Sequence, residues 1–243
     1  MQASEVPQRI YLWLCRRLVR LLFLFVCRTK VIYFARLPAV GGYILASNHI
    51  SHFDPPILSS HFQRYIDWMT MEELFRNRLS ALAMVSLRAF KVRRDGNDRT
   101  ALRTALRRLE EGRVVGVFPE GGIRAGSGSI LEGAAMWPGA SALSVLACRP
   151  IVPVVILGSD RLYNKATWAR FRSVTIWIGF GDQILPRSDI TKRDARQLVQ
   201  RSLAEAFIEV KERLVSEFNL ADVDLPTTPQ ARKREDHLPR GSR

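Results

Sequence analysis

The chain has 243 residues, 47% of them apolar, and 37 Lys or Arg against 23 Asp or Glu give it a formal net charge of +14. It is long enough to bury one sizeable core, and its three cysteines exclude an even disulfide framework and favour a reduced cytosolic compartment. The positive charge is concentrated at the ends, with +6 over residues 1–40 and +3 over residues 226–243, which favours an anionic partner such as a lipid surface or a nucleic acid.

Residues 9–28 are rich in Leu, Phe and Arg. The longest stretches without charge have six and seven residues, whereas a helix needs roughly 20 apolar residues to cross a bilayer. On a helical wheel, one arc of about 120° holds five arginines: Arg9, Arg16, Arg17, Arg20 and Arg28. The segment lacks the charge order and cleavage site of a signal peptide. We interpret residues 1–30 as an amphipathic helix that anchors the chain to a membrane surface; the alternative is a helix packed on the protein's own core.

Beyond this segment, predicted strands and helices alternate. Strands are predicted at 30–37, 42–46, 66–71, 90–93, 114–118, 151–157 and 173–179, and helices at 54–62, 72–87, 98–111, 139–147 and 191–217. This alternation predicts an α/β fold with a mostly parallel central sheet flanked by helices, and ligands at the carboxyl ends of the strands. We assign the domain to residues 31–220 and expect residues 221–243 to be a disordered basic tail. Pro153 suggests an edge strand or a bulge at 151–157.

Two residues with catalytic potential follow the strand at 42–46. His49 and Asp54 are five positions apart, and Pro55 and Pro56 come next. An imidazole held by a carboxylate suits a general base that takes a proton from a hydroxyl. The alternative reading makes Asp54 an N-cap of the following helix and His49 a turn residue, and the spacing alone does not separate the two.

Other chemistries fit this segment less well. His49, His52 and Asp54 could bind a metal, but the helical zinc motif and further ligands are missing, so we predict no metal. Ser51 has no G-x-S-x-G context and is not expected to be a nucleophile. We place Asn48 and Ser51 instead among the substrate-binding candidates. No nucleic-acid-binding module is recognisable, and we predict no nucleic-acid partner.

A second motif, Phe118–Arg124, is a Gly-rich turn after an apolar strand. Backbone N–H groups in such a turn suit a phosphate or an oxyanion, with Arg124 adding charge, although ordinary strand-to-loop turns look alike. Arg93 and Arg94, at the end of another short strand, are either a solvated edge or a second phosphate contact.

These motifs occur in a fixed order: N-H-x-S-x-x-D at 48–54, a strand ending in Arg at 92–94, F-P-E-G-G at 118–122 and I-V-P-V at 151–154. Over residues 40–160 the chain resembles the glycerophospholipid acyltransferase family, which includes the 1-acylglycerol-3-phosphate O-acyltransferases. The resemblance implies transfer of a fatty acyl group from acyl-CoA or acyl carrier protein to a lysophospholipid, at the cytoplasmic face of a membrane and without a cofactor. The expected acceptor is 1-acylglycerol-3-phosphate. The alternatives are an acyltransferase that acts on a different lyso-lipid headgroup, and a non-catalytic basic membrane-binding protein on the same fold.

By that resemblance, His49 is the general base and Asp54 its partner. The implied acceptor-binding residues are Arg93 or Arg94, Glu120, Gly121, Gly122 and Arg124. Two departures from the family pattern stand out. Arg124 is displaced by one position from the Arg of the usual E-G-T-R, and Trp137 replaces the Lys that commonly precedes Pro-Gly. Both departures affect the predicted headgroup of the acceptor more than the reaction.

Overall fold

The computed structural model describes residues 5–93 and 98–228. Its strands are β1 Cys27–Tyr33, β2 Tyr43–Ser47, β3 Ile66–Met71, β4 Phe90–Val92, β5 Val114–Val117, β6 Ile151–Leu157 and β7 Val174–Phe180. Its α-helices are α1 Glu5–Val26, α2 Asp54–His61, α3 Arg78–Ser86, α4 Arg99–Glu110, α5 Gly139–Ala147, α6 Lys165–Trp168 and α7 Lys192–Phe218. The predicted α/β architecture is confirmed.

The seven strands form one sheet in the order β1-β7-β6-β2-β5-β3-β4. Only the β6–β7 pair is antiparallel; the other five pairs of neighbours are parallel. Residues of β2, β5 and β6 are buried throughout, because helices cover both faces of the sheet. One core cluster packs α4, α5 and α7 against the sheet, and a second packs α1 and α2 against the opposite face.

Helix α1 belongs to the domain more closely than the sequence suggested. It runs directly into β1 at Cys27, and its side chains Phe23 and Val26 are buried in the second core cluster. The predicted boundary at residue 30 is therefore wrong, because it falls inside β1. The apolar run at 21–27 contains no turn signal, so the end of the helix at Val26 was not predictable from local sequence.

Leu12 of α1 is also buried, but one side of the helix faces outward. Its exposed apolar side chains are Ile10, Trp13, Leu14, Leu18, Leu21, Leu22, Leu24 and Phe25. Arg17 and Arg20 are exposed beside them, whereas Arg16 donates a hydrogen bond to Gln63 O; the side chain of Arg9 lies outside the described residues. Among the described helices, none is long and apolar enough to cross a membrane.

Two further expectations are corrected. Strand β6 lies between β7 and β2, so Pro153 is not on an edge. The missing N–H is tolerated because Pro153 directly precedes the ladder to β7, and its carbonyl accepts a hydrogen bond from Gly181 N (3.0 Å). The chain is also ordered beyond residue 220: Asp222–Asp224 form a 3₁₀ turn, and Thr227 N donates to Asp160 (3.1 Å). Disorder is thus wrong for residues 221–228, and residues 229–243 lie outside the described part.

Candidate active site

The carboxyl ends of three neighbouring parallel strands carry the candidate site. Strands β6, β2 and β5 are adjacent in the sheet, and each ends in a turn. The turn after β2 holds His49, the turn after β5 holds Glu120, and Ser159 follows β6. Because parallel strands end at the same edge, segments that are about 40 to 70 residues apart in sequence meet here.

Asp54 is the centre of the hydrogen-bond network at this edge. It is fully buried, and its Oδ2 accepts hydrogen bonds from His49 Nδ1, Ile50 N and Ser51 N, each at 2.8 Å. Its Oδ1 accepts from the hydroxyl of Ser159. Asp54 is the first residue of α2 rather than the predicted N-cap, which is Phe53. The carboxylate therefore serves the turn that carries His49, while Pro55 and Pro56 occupy the first helical turn as predicted.

The contact with Asp54 determines the tautomer of His49. A buried carboxylate that already accepts backbone N–H groups requires a donor at Nδ1, so the neutral ring carries its lone pair on Nε2. The ring stacks on Phe118 with centroids 4.1 Å apart, and Phe118 stacks on Trp68. The His49 side chain keeps 16% of its surface exposed. The ring is thus fixed in orientation, and Nε2 can accept a proton.

Glu120 holds the two turns together. Its Oε2 accepts the backbone N–H of His49 (2.5 Å), and its Oε1 accepts Ser129 Oγ (2.8 Å) and Ile130 N (3.0 Å). Burial raises the pKa of Glu120, and the hydrogen bonds from His49, Ile130 and Ser129 oppose that shift. Glu120 was predicted to bind the acceptor. With its carboxylate buried and occupied by protein donors, it instead positions the His49 turn.

The Gly-rich turn lies alongside His49. Arg124 N donates to His49 O (2.8 Å) and Gly121 N to Phe118 O (3.0 Å), so these two N–H groups of the turn are bonded within the protein. Gly121 has a φ of +66°, and a Cβ there would lie 2.8 Å from the indole of Trp137. Glycine is therefore required at 121 for both its backbone conformation and its contact with Trp137.

The predicted arginines lie at different distances from the base. Arg124 is exposed in the turn whose backbone touches His49. Arg93 is exposed after β4, which is three strands from β2, or roughly 14 Å at the usual strand spacing of about 4.8 Å. Its backbone N–H donates to Asp98 (2.8 Å). Arg94 lies outside the described residues.

Asn48 and Ser51 were predicted to bind substrate, but the structure gives their side chains hydrogen bonds within the protein. Both are fully buried. The Asn48 amide donates to Ile156 O (2.9 Å) and accepts from Ile156 N (2.8 Å), which fastens the end of β2 to β6. Ser51 Oγ accepts from Phe53 N (3.2 Å) inside the turn. Neither side chain reaches a substrate in this arrangement.

Among the described residues, the fold brings no further ligands to the metal site considered at His49, His52 and Asp54. His52 lies with its Nδ1 2.5 Å from Tyr163 Oη. Within residues 5–93 and 98–228, no group of three or more His, Cys, Asp or Glu side chains is arranged to hold a metal ion.

Ser159 is a site residue that the sequence did not reveal. It is fully buried, 105 residues from Asp54, and a Ser after a buried strand is too ordinary to attract notice. Its hydroxyl satisfies the Asp54 oxygen that does not face His49. Ser159 therefore belongs to the positioning of Asp54 rather than to any contact with substrate.

We expect Ser159→Ala to lower kcat about tenfold with little change in KM, because a hydrogen bond to a charged group contributes roughly 1.5–3 kcal/mol. Steady-state kinetics beside a thermal unfolding curve would measure this. Ser159→Thr retains the hydroxyl and should recover activity. Ser144→Ala is the matched control, since that buried hydroxyl donates to Arg149 O, away from the site. A Ser159→Ala enzyme with wild-type kcat would show that the contact is dispensable.

Glu120→Gln should disturb the site more. An amide has one acceptor oxygen, so its NH₂ group would face the backbone N–H of either His49 or Ile130. We expect a loss of about 1–3 kcal/mol in the free energy of unfolding, together with reduced kcat. Burial raises the pKa of Glu120, so ionisation of this carboxyl group opposes folding. The free energy of unfolding of the wild type should therefore fall as pH rises through the raised pKa. This pH dependence should be absent from Glu120→Gln. Glu132→Gln, which alters an exposed pair with Lys211, should change little.

Comparison with known proteins settles the family. The acyltransferase family model matches residues 13–157, which include the turns of His49 and Glu120. The chain belongs to the acyltransferase family. A 1-acyl-sn-glycerol-3-phosphate acyltransferase from Bacillus subtilis is 32% identical over 93 residues, which are 38% of this chain and 47% of that protein. The chain thus aligns with about half the length of this curated relative.

The fold is shared with a solved acyltransferase. The crystal structure of the 1-acyl-sn-glycerophosphate (LPA) acyltransferase PlsC from Thermotoga maritima matches with a TM-score of 0.62 and 20% identity, over 87% of this chain and 84% of that one. At this identity the likeness shows the fold alone. The two relatives support the assignment of the acyltransferase scaffold. The roles of individual residues in this acyltransferase are derived from its own geometry.

Proposed function

We propose that this acyltransferase moves a fatty acyl group from a thioester, acyl-CoA or acyl carrier protein, to the free hydroxyl of a lysophospholipid, with 1-acylglycerol-3-phosphate as the preferred acceptor. The observation that carries the proposal is the 2.8 Å contact between His49 Nδ1 and the buried carboxylate of Asp54. It leaves Nε2 as a base at the carboxyl edge of the sheet, where this fold class binds ligands.

The chemistry is a direct transfer. His49 Nε2 takes the proton of the acceptor hydroxyl as the oxygen attacks the thioester carbonyl carbon, and Asp54 stabilises the imidazolium that forms. The tetrahedral oxyanion then collapses, the C–S bond breaks, and the leaving thiolate takes a proton from His49. A thioester is already activated, so the proposed reaction needs neither a covalent enzyme intermediate nor a cofactor.

Charge near the base supports a phosphate acceptor. Arg124 is exposed beside the His49 turn, and we propose that the N–H groups of Gly122 and Ile123 meet an oxyanion or a phosphate oxygen. Arg93, at the same edge but three strands away, can reach only the far end of an acceptor. In 1-acylglycerol-3-phosphate the phosphate is on the carbon next to the one that carries the reacting hydroxyl, so Arg124 rather than Arg93 is the arginine proposed to contact it.

Helix α1 supports a location at a membrane. Its exposed apolar side chains lie beside the exposed Arg17 and Arg20, an arrangement suited to the headgroup region of an anionic bilayer. We infer a peripheral or monotopic protein at the cytoplasmic face, where its lipid acceptor and product partition. Because Phe23 and Val26 belong to the core, this is tested with substitutions on the exposed face of α1 rather than with a deletion.

Trp137 favours a second candidate acceptor. Its indole is 70% exposed and lies directly over Gly121, at a position where a Lys would contact phosphate. An aromatic face in this place suits a lyso-lipid whose headgroup is bulkier or less anionic than a phosphate monoester. The reaction and the base would be the same.

The deciding experiment is a panel of lysophospholipids offered with each of the two donors, with products identified by mass spectrometry. Formation of a diacyl product by the wild type, and its loss in His49→Ala, would support the proposal. Comparing Trp137→Lys with the wild type across the panel separates the two acceptors, since a gain on 1-acylglycerol-3-phosphate would favour the second candidate for the natural enzyme. A wild type that acylates no lysophospholipid would refute both.

A further inference from the structure

Helix α3 exposes an apolar face that the core does not explain. No residue of this nine-residue helix is buried. Leu79 is 80% exposed, and Leu82 and Val85 are also exposed at a spacing of three residues. Helices this short are held mainly by burial of an apolar face, so a face left open to water indicates a partner.

Helix α3 lies against the exposed side of α1. Ser86 Oγ is 2.7 Å from Tyr11 Oη and 3.7 Å from Cys15 Sγ. On α1, Tyr11 and Cys15 neighbour the exposed Leu14 and Leu18, which are one turn apart on the outward face. The apolar face of α3 therefore continues that of α1.

A third segment joins at the other end of α1. Phe171 is 70% exposed, and its ring lies 5.9 Å from that of Phe25. Arg172 N donates to Phe25 O (2.7 Å), which fixes this turn against the end of the helix. We call the combined surface the apolar platform: Leu14, Leu18, Leu21 and Phe25 of α1, Leu79, Leu82 and Val85 of α3, and Phe171.

The charges around the platform are mainly basic; Glu72 and Glu73, in the 3₁₀ turn before α3, are the acidic residues nearest to that helix in sequence. No Asp or Glu occurs in residues 10–30, 76–93 or 161–181. Exposed arginines flank the apolar side chains on all three segments: Arg17, Arg20, Arg76, Arg78, Arg170 and Arg172. An apolar surface with a mainly basic rim complements an anionic bilayer, whose surface attracts each nearby Lys or Arg by about 1 kcal/mol.

The platform is connected to the candidate base through packed aromatic rings. Phe23 of α1 lies 6.3 Å from Phe53, the residue before Asp54, and Trp168 of α6 lies 5.5 Å from Phe53 and 6.4 Å from Phe23. Helix α1, which carries part of the platform, therefore packs through Phe23 against the residue that precedes Asp54.

We propose that α3 and the Phe171 turn, together with α1, form one three-part surface that docks on an anionic bilayer and presents the His49 edge to lipids within it. This rests on the proposed transfer to lysophospholipids, but it assigns two segments that the sequence did not connect with a membrane. Docking through three separate segments fixes the angle of the domain on the bilayer, which one helix alone does not.

The test is the full chain carrying Leu79→Ser and Leu82→Ser, with cosedimentation on vesicles of phosphatidylcholine with phosphatidylglycerol. We expect binding to fall about tenfold or more, since two leucines lose their apolar burial in lipid. The matched control is Val40→Ser with Leu185→Ser, which alters two exposed apolar residues near the opposite edge of the sheet and should bind as the wild type does. A second variant, Arg170→Gln with Arg172→Gln, should lose binding to anionic vesicles and keep its weaker binding to phosphatidylcholine alone.

Activity on a water-soluble, short-chain lyso-acceptor separates this proposal from the proposed function. The Leu79→Ser/Leu82→Ser enzyme should keep wild-type turnover there and lose it on vesicles. Wild-type vesicle binding by this variant would overturn the role of α3 while leaving acyl transfer intact. A wild type that forms dimers, with the variant monomeric and still bound to vesicles, would show that a second copy covers α3 instead.

Discussion

We expect His49→Ala to lower kcat by about 10²–10⁴-fold, the usual contribution of a positioned general base. The substitution removes the ring and leaves the turn in place, because its backbone N–H to Glu120 and its carbonyl to Arg124 do not depend on the side chain. The loss should appear in kcat with KM nearly unchanged, since the ring abstracts a proton rather than holding the acceptor. Release of the free thiol from the donor, followed by a colorimetric thiol reagent, gives the rate.

His52→Ala provides the matched control for His49→Ala. It removes an imidazole three residues away whose Nδ1 faces Tyr163 and whose pKa is lowered by burial and by the neighbouring His49. We expect its kcat to stay within a few-fold of the wild type. Equal losses of kcat in the two variants would mean that any imidazole near the site contributes to turnover. The assignment of His49 as the base would then fail.

The helices and strands of this fold were predictable where residues that favour turns mark their ends. The bounds of β3, β6 and α5 agree with the prediction to the residue, because Gly, Pro or charged residues flank each apolar run. The sheet order was not predictable. Strand β7 runs antiparallel to β6 because tertiary packing selects that pairing. No local feature of Val174–Phe180 predicts it.

The junction of α1 and β1 shows a second limit. The sequence predicted a strand at 30–37, but β1 begins at Cys27 because it pairs in register with β7, starting at Val174. Residues Leu24 to Ile32 suit a helix or a strand equally well by local preference. The partner strand, 147 residues further along, decides between them.

The site divides in the same way. The pairing of His49 with Asp54 was predicted from the family resemblance, because their spacing of five residues left an N-cap role open for Asp54. The structural roles of Ser159 and Glu120 depend on contacts made across the sheet and with residues 129–130. Sequence spacing does not reveal such contacts. The buried Asn48 illustrates the same point: an amide beside a candidate base resembles a ligand-binding group, until its partner Ile156 is seen.

Asp54→Asn should lower kcat by about 10²–10⁴-fold while the protein stays folded. The amide can direct its oxygen to His49 Nδ1, Ile50 N and Ser51 N and its NH₂ to Ser159 Oγ, since a hydroxyl can accept as well as donate. The hydrogen bonds thus survive, and what is lost is the negative charge beside the imidazolium that forms during transfer. Without that charge the ring loses much of its advantage as a positioned base, which is typically about 10²–10⁴-fold.

Asp54→Ala separates charge from structure. It removes the acceptor for four buried donors, each of which costs about 1–3 kcal/mol when left unsatisfied, so we expect a large fall in the free energy of unfolding as well as in kcat. Denaturant unfolding beside single-turnover acyl transfer measures both quantities. If Asp54→Asn turned over at the wild-type rate with stability intact, the carboxylate would serve only to hold the turn, and His49 would act as a base without an electrostatic partner.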